Sequence, residues 1–261
     1  MADKKDPKVD PKQDSTLVDD SIVESLWGKF PFITDMKGFG PGAKSMLDLV
    51  PASTVTGASC PSEAVLGAFA CIRQEIDRTC AGDFKGWMNA SLSELIQDGL
   101  SQGWTVEQIM RRLNKFVGRQ HALDGKLFEA LIVIVLTHFL GAENITIYTQ
   151  TPTGSDVGGH LDIEVQIGDG RFLIEVKTKL GNDWKRSLIE HQIGGEQQPY
   201  FLITVQANLK PHWIGVMKEK GCQPVSINPS MIPGVVHLDA LVSALKKEIE
   251  KAKEQKATKT V

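Results

Sequence analysis

The stretch GGHLDIEVQIGDGRFLIEVKTK, residues 158–179, decides the fold. Side chains alternate along a strand, so Leu161, Ile163 and Val165 point one way while His160, Asp162 and Glu164 point the other. Gly168-Asp169-Gly170 is a turn signal, and the alternation resumes after it, with Phe172, Ile174 and Val176 on one side and Leu173, Glu175 and Lys177 on the other. The pattern predicts a hairpin with one core face and one face on which Asp162, Glu175 and Lys177 converge. Two carboxylates beside an ammonium in a Val/Ile/Leu-rich hairpin are costly unless they are paired or hold a cation.

The rest of the chain bounds what can surround this hairpin. Its 261 residues, 41% hydrophobic and 23% charged, suit one large or two small globular domains. A formal net charge of -3 gives no global attraction to a polyanion, so such a partner needs a local basic patch. Cys60, Cys71, Cys80 and Cys222 form no CxxC pair and read as reduced core thiols of a cytoplasmic protein. The longest apolar run, 130–136, falls far short of the roughly 20 residues that span a bilayer, so the chain reads as a soluble protein.

Residues 1–20, rich in lysine and aspartate, read as a disordered tail. Residues 21–120 read as a mainly helical N-terminal domain, in which GFGPG at 38–42 is a turn rather than a phosphate loop because no GK[ST] follows. Helical spacing starts at Pro61 with a cap at Ser62 and stops at Gly82; a second helix covers 91–101, and Thr105 caps a third through Phe116. With Arg111, Arg112, Lys115 and Arg119 on the third, this pair is either a helix-turn-helix reader of DNA or plain scaffolding with a basic face. A separate buried helix is predicted over 125–140, with Glu129 among its apolar residues, either capping the helix start or facing the acids of the hairpin. A strand over 145–150 and a Gly-rich loop over 151–159 lead into the hairpin. Beyond it the pattern gives a helix over 182–193, a strand over 199–206, a short helix over 212–220, a last strand at 225–227 and a helix over 238–254. This order is that of an α/β fold, a mixed central sheet flanked by helices, over 121–250, followed by a charged tail over 251–261.

A helix bearing GKLFE (125–129), a strand and Gly-rich loop, then Asp162 and a hairpin closing on Glu175-Val176-Lys177 resemble the PD-(D/E)XK nuclease superfamily. The pattern is nearest to Mrr-type restriction endonucleases and archaeal Holliday junction resolvases, and it covers residues 122–245. Leu161 stands where the pattern has proline, and Asp156 offers an alternative first acid. The resemblance implies a restriction-endonuclease-like core that cleaves phosphodiester bonds in DNA with Mg²⁺, Mn²⁺ being a possible substitute, in a restriction or defence setting. Asp162, Glu175 and the backbone carbonyl of Val176 would supply the hard oxygen ligands Mg²⁺ prefers. Lys177 would sit by the attacking water and stabilise the transition state, and Glu129 would complete the shell. Gln192, Lys179, Lys185 and Arg186 would meet the nucleic acid. The same metal site would serve RNA or branched DNA, since it reads phosphate and not base. A non-catalytic nucleic-acid-binding or assembly protein on this fold is the other reading. Double-strand cleavage implies two active sites and so a homodimer.

Overall fold

The computed structural model describes residues 20–29, 46–80, 84–147, 163–178, 199–206, 209–228 and 232–259. Its sheet has six strands, β1 (Ile145–Ile147), β2 (Ile163–Ile167), β3 (Gly170–Lys177), β4 (Tyr200–Thr204), β5 (Cys222–Ser226) and β6 (Val236–His237), hydrogen-bonded in chain order. β1, β2 and β3 pair antiparallel, and β3 to β6 pair parallel. The two modes follow from the connections. Ile167 pairs with Gly170, so two residues close the β2–β3 hairpin, and Gly168 takes the positive φ (60°) that this tight reversal needs. A parallel pair needs a crossover, and α6 (Pro211–Glu219) supplies it between β4 and β5.

Among the described residues the other α-helices are α1 (Ser21–Gly28), α2 (Ala52–Thr56), α3 (Pro61–Thr79), α4 (Phe84–Ser101), α5 (Val106–Leu140) and α7 (Leu238–Lys259). Alternation sorts the sheet into two faces. Ile163, Val165, Ile174, Val176, Ile203 and Val225 form one core with Phe128, Ile132, Val135 and Leu136 of α5 and Leu241, Val242 and Leu245 of α7. On the opposite face Tyr200, Leu202 and Cys222 pack with Ile214 and Met217 of α6. A third cluster holds the helical part together: Val23, Leu26 and Trp27 of α1 meet Met88 and Leu95 of α4 and Phe116, Leu127 and Leu131 of α5, and Trp27 Nε1 donates to the Phe116 carbonyl at 3.2 Å. α3 and α5 each contribute to both the helical and the sheet core, which ties the two parts into one packed body. The mixed sheet, its flanking helices and the N-terminal helical region are those the sequence predicts.

Several local expectations are corrected. The third and fourth predicted helices are a single helix of 35 residues, α5. Thr105 starts it as predicted, in a capping box with Gln108. Gly118 and Gly125 lie inside this helix, and each costs it only about 1 kcal/mol relative to alanine. That is less than the roughly 1.5–3 kcal/mol from burying one side chain such as Phe116 or Phe128 on either side of them. Ser62 does not cap α3: Pro61 occupies the first turn, and the Ser62 hydroxyl donates instead to Asp239 at 2.8 Å. α7 continues through the predicted charged tail to Lys259, and β6 is a strand the pattern did not reveal. In the α4–α5 pair, Arg112 is buried and stacks 3.6 Å from the Trp104 ring centroid, while Lys115 and Arg119 form ion pairs with Asp20 and Glu24. Three of the four cations of the helix-turn-helix reading thus brace the fold. Among the described residues no helix is long and apolar enough to cross a membrane.

Candidate active site

Parallel pairing sets Leu173 beside Tyr200, Glu175 beside Leu202 and Lys177 beside Thr204, and β4 continues the rows into Cys222, Pro224 and Ser226 of β5. The hairpin's polar face is therefore continuous with the face that α6 covers. Lys177, Thr204 and Ser226 form one row at the carboxyl ends of three parallel strands, the end at which open α/β sheets bind ligands. Thr204 and Ser226 are buried, and their hydroxyls are engaged locally, accepting from the backbone N–H groups of Gln206 (3.1 Å) and Asn228 (3.2 Å).

Glu175 is the centre of this face. It is 0% exposed, with Leu202 on the neighbouring strand, a position where an ionised carboxylate carries a desolvation cost of several kcal/mol unless partners offset it. Two partners are present. The Tyr200 hydroxyl donates to Oε2, and Lys177 Nζ lies 3.0 Å from Oε1. The ammonium contact is an ion pair without hydrogen-bond geometry, so among the described residues Oε1 accepts no hydrogen bond. The electrostatic reach of the carboxylate is seen at Cys222, whose thiol is pushed far up the pH scale by burial and further by the charge of Glu175.

An orphaned, buried carboxylate oxygen beside an ammonium is chemistry that fits a hard divalent cation, which takes oxygen ligands. Among the described residues no cluster of three His, Cys, Asp or Glu side chains is close enough to hold a metal. Any further acid must come from elsewhere, and Asp162 lies outside the described residues. The last described rung of the hairpin is Ile163 opposite Ile174, each adjacent in sequence to one of the two predicted acids.

Of the predicted residues, the structure brings Glu175 and Lys177 together, with Val176 between them turning its side chain into the opposite core. Glu129 is half-buried in α5, the helix that covers that opposite face. Lys179, Lys185, Arg186 and Gln192 lie outside the described residues. Glu164, on the same face as Glu175, is buried and has Arg171 at 3.7 Å. Tyr200 is the member of the site that sequence reasoning missed. Its only signal was period-two alternation with Leu202 and Thr204, and which β3 residue it meets depends on a parallel register that no local pattern encodes.

An antiparallel hairpin feeding a parallel sheet, helices on both faces and a buried Glu-x-Lys strand define a restriction-endonuclease fold. The solved structures of Ecl18kI share it. Metal-depleted Ecl18kI in complex with uncleaved DNA matches with a TM-score of 0.50 and 14% identity, over 89% of this chain and 79% of that one. The same enzyme with uncleaved, modified DNA matches equally, over 89% and 78%. The complex of restriction endonuclease PspGI with substrate DNA gives a TM-score of 0.47 and 14% identity, over 88% and 92%. No family model matches the chain. No curated protein matches it in sequence.

Proposed function

We propose that this chain is a metal-dependent endonuclease that hydrolyses phosphodiester bonds in DNA, acting in restriction or defence as a homodimer, with catalysis in residues 121–250 and the helical residues 21–120 as its support. The observation that carries the reading is Glu175: a fully buried carboxylate with one oxygen held by Tyr200 and the other facing Lys177 without a hydrogen bond. A surface salt bridge needs neither the burial nor the orphaned oxygen. The fold shared with Ecl18kI, a protein solved on DNA, supports the choice of substrate.

Glu175, the Val176 carbonyl and Asp162 are the oxygen donors that would hold Mg²⁺, which supplies a water of lowered pKa and neutralises charge on the scissile phosphate. Lys177, partly exposed beside Glu175, would hold the attacking water and offset negative charge as it develops. Lys179, Lys185, Arg186 and Gln192 follow β3 in sequence and would contribute the local positive charge that a chain of net charge -3 needs to approach a polyanion. Glu129, on the helix across the sheet from Glu175, would act through water rather than as a direct ligand.

The test is incubation with supercoiled plasmid, linear DNA and RNA, with Mg²⁺ or with EDTA. Mg²⁺-dependent DNA cleavage is expected from the wild type, none from Glu175→Ala or Asp162→Ala that remain folded by circular dichroism, and a reduced rate from Glu129→Gln. Cleavage undiminished in Glu175→Ala refutes the site; cleavage of RNA alone moves the substrate class.

A further inference from the structure

The geometry points to Tyr200 as the positioning residue of this site, a hydroxyl that reserves Oε2 of Glu175 for the protein and so presents Oε1 alone to a cation. The inference rests on the nuclease reading and adds to it a residue outside the Asp…Glu-x-Lys pattern.

Three observations carry it. First, Tyr200 is 5% exposed, its ring clustered with Leu202, Leu209, Ile214, Met217 and Cys222, so its hydroxyl is delivered by a packed, rigid body. Second, Tyr200 pairs with Leu173 rather than with Glu175, so the bond runs diagonally, from the start of β4 toward the carboxyl ends where Lys177 lies. Third, the two carboxylate oxygens are treated differently: Oε2 accepts from the phenol, while Oε1 is buried, accepts no hydrogen bond among the described residues and has Lys177 Nζ at 3.0 Å. A carboxylate has about four lone-pair sites and can engage a cation through one oxygen or through both. With Oε2 occupied by a neutral donor, the cation is left the single oxygen Oε1. Tyr200 also supplies a partner to the buried charge before any metal arrives.

The experiment titrates the full-length protein with Mn²⁺ alone, without DNA, by calorimetry, comparing wild type, Tyr200→Phe and Glu175→Gln, and measures cleavage against metal concentration beside it. Phenylalanine keeps the ring, frees Oε2 for the cation and leaves the buried charge less compensated, so affinity for Mn²⁺ is expected to rise roughly tenfold, the scale of one hydrogen bond to a charged group. The metal concentration that half-saturates cleavage should shift with it. A residue that merely packs would lower the melting temperature and leave Mn²⁺ affinity unchanged, and that result overturns the inference while the nuclease reading stands. A wild type that binds no Mn²⁺ overturns both. Should Tyr200→Phe fail to fold, Tyr148→Phe leaves Tyr200 the single tyrosine of the chain, and 3-fluorotyrosine labelling reports on it directly. Its fluorine signal is expected to shift as Mg²⁺ binds, and an unmoved signal at bound Mg²⁺ overturns the inference.

Discussion

Replacing Lys177 by methionine isolates the central electrostatic feature of the site. Methionine keeps an unbranched stem of similar reach and deletes the charge, leaving Glu175 buried with the Tyr200 hydroxyl and no cation beside it among the described residues. At the observed 3.0 Å, the attraction between unit charges is about 5.5 kcal/mol at an effective dielectric constant of about 20. Removing one partner of a buried pair costs about 3–5 kcal/mol in practice. Lys177 is 29% exposed, so water already screens part of the pair and the loss belongs at the low end, about 3 kcal/mol. Chemical denaturation at neutral pH in EDTA reads this as a lower midpoint at unchanged slope. Lys177→Met/Glu175→Gln should recover most of the loss, because the uncompensated charge has gone, so the double-mutant cycle gives a large coupling energy. Divalent cation should stabilise Lys177→Met in proportion to its binding, since a ligand bound only by the folded state shifts the equilibrium toward it. A single variant within 0.5 kcal/mol of wild type, or a double variant no more stable than the single, would refute the view that the lysine offsets a buried carboxylate; a difference of about 0.5 kcal/mol is the ordinary scatter of surface substitutions.

Further outcomes follow from Asp239 and Cys222. Asp239 accepts from both the backbone N–H and the hydroxyl of Ser62 at 2.8 Å, joining the starts of α7 and α3, so Asp239→Ala is expected to cost about 2 kcal/mol in thermal or chemical unfolding. Burial alone would raise the carboxyl pKa, but the Ser62 bonds, the Cys60 thiol and neighbouring His237 together hold it below the usual aspartate value of 3.8. A depressed folded-state pKa contributes stability that is present above the unfolded value and lost as pH falls through the folded one. The gap between wild type and Asp239→Asn should therefore shrink below about pH 4, and a gap constant down to pH 2.5 would contradict this. Cys222 is 1% exposed with its thiol pushed up by burial and by Glu175, so at pH 8 it should resist iodoacetamide in the folded protein and react on denaturation. Mass spectrometry locates the adduct, and rapid native labelling at Cys222 would show that β5 opens.

The hairpin's two faces followed from sequence because strand alternation is a local property: once Ile163, Val165, Ile174 and Val176 face the core, Glu175 and Lys177 must share the other side. Thr105 as the start of a helix was legible for the same reason, since a capping box is closed within four residues. What the sequence could not determine depends on partners distant along the chain. Whether Gly118 and Gly125 break a helix is a contest of about 1 kcal/mol each against burial of side chains whose contacts lie in α1, α3 and the sheet, and only the packed structure decides it. Ser62 reads as a cap until Asp239, 177 residues away, takes its hydroxyl. Whether the basic residues of α5 face a ligand or serve as scaffolding is open in the sequence until Trp104, Asp20 and Glu24 are set against three of them. In the sequence Tyr200 is only part of the strand over 199–206, until the parallel register of β3 and β4 places its hydroxyl on Glu175. The sequence determined which residue types share a face. Tertiary structure decided which of them touch, because strand register and helix packing are settled by burial summed over the whole chain.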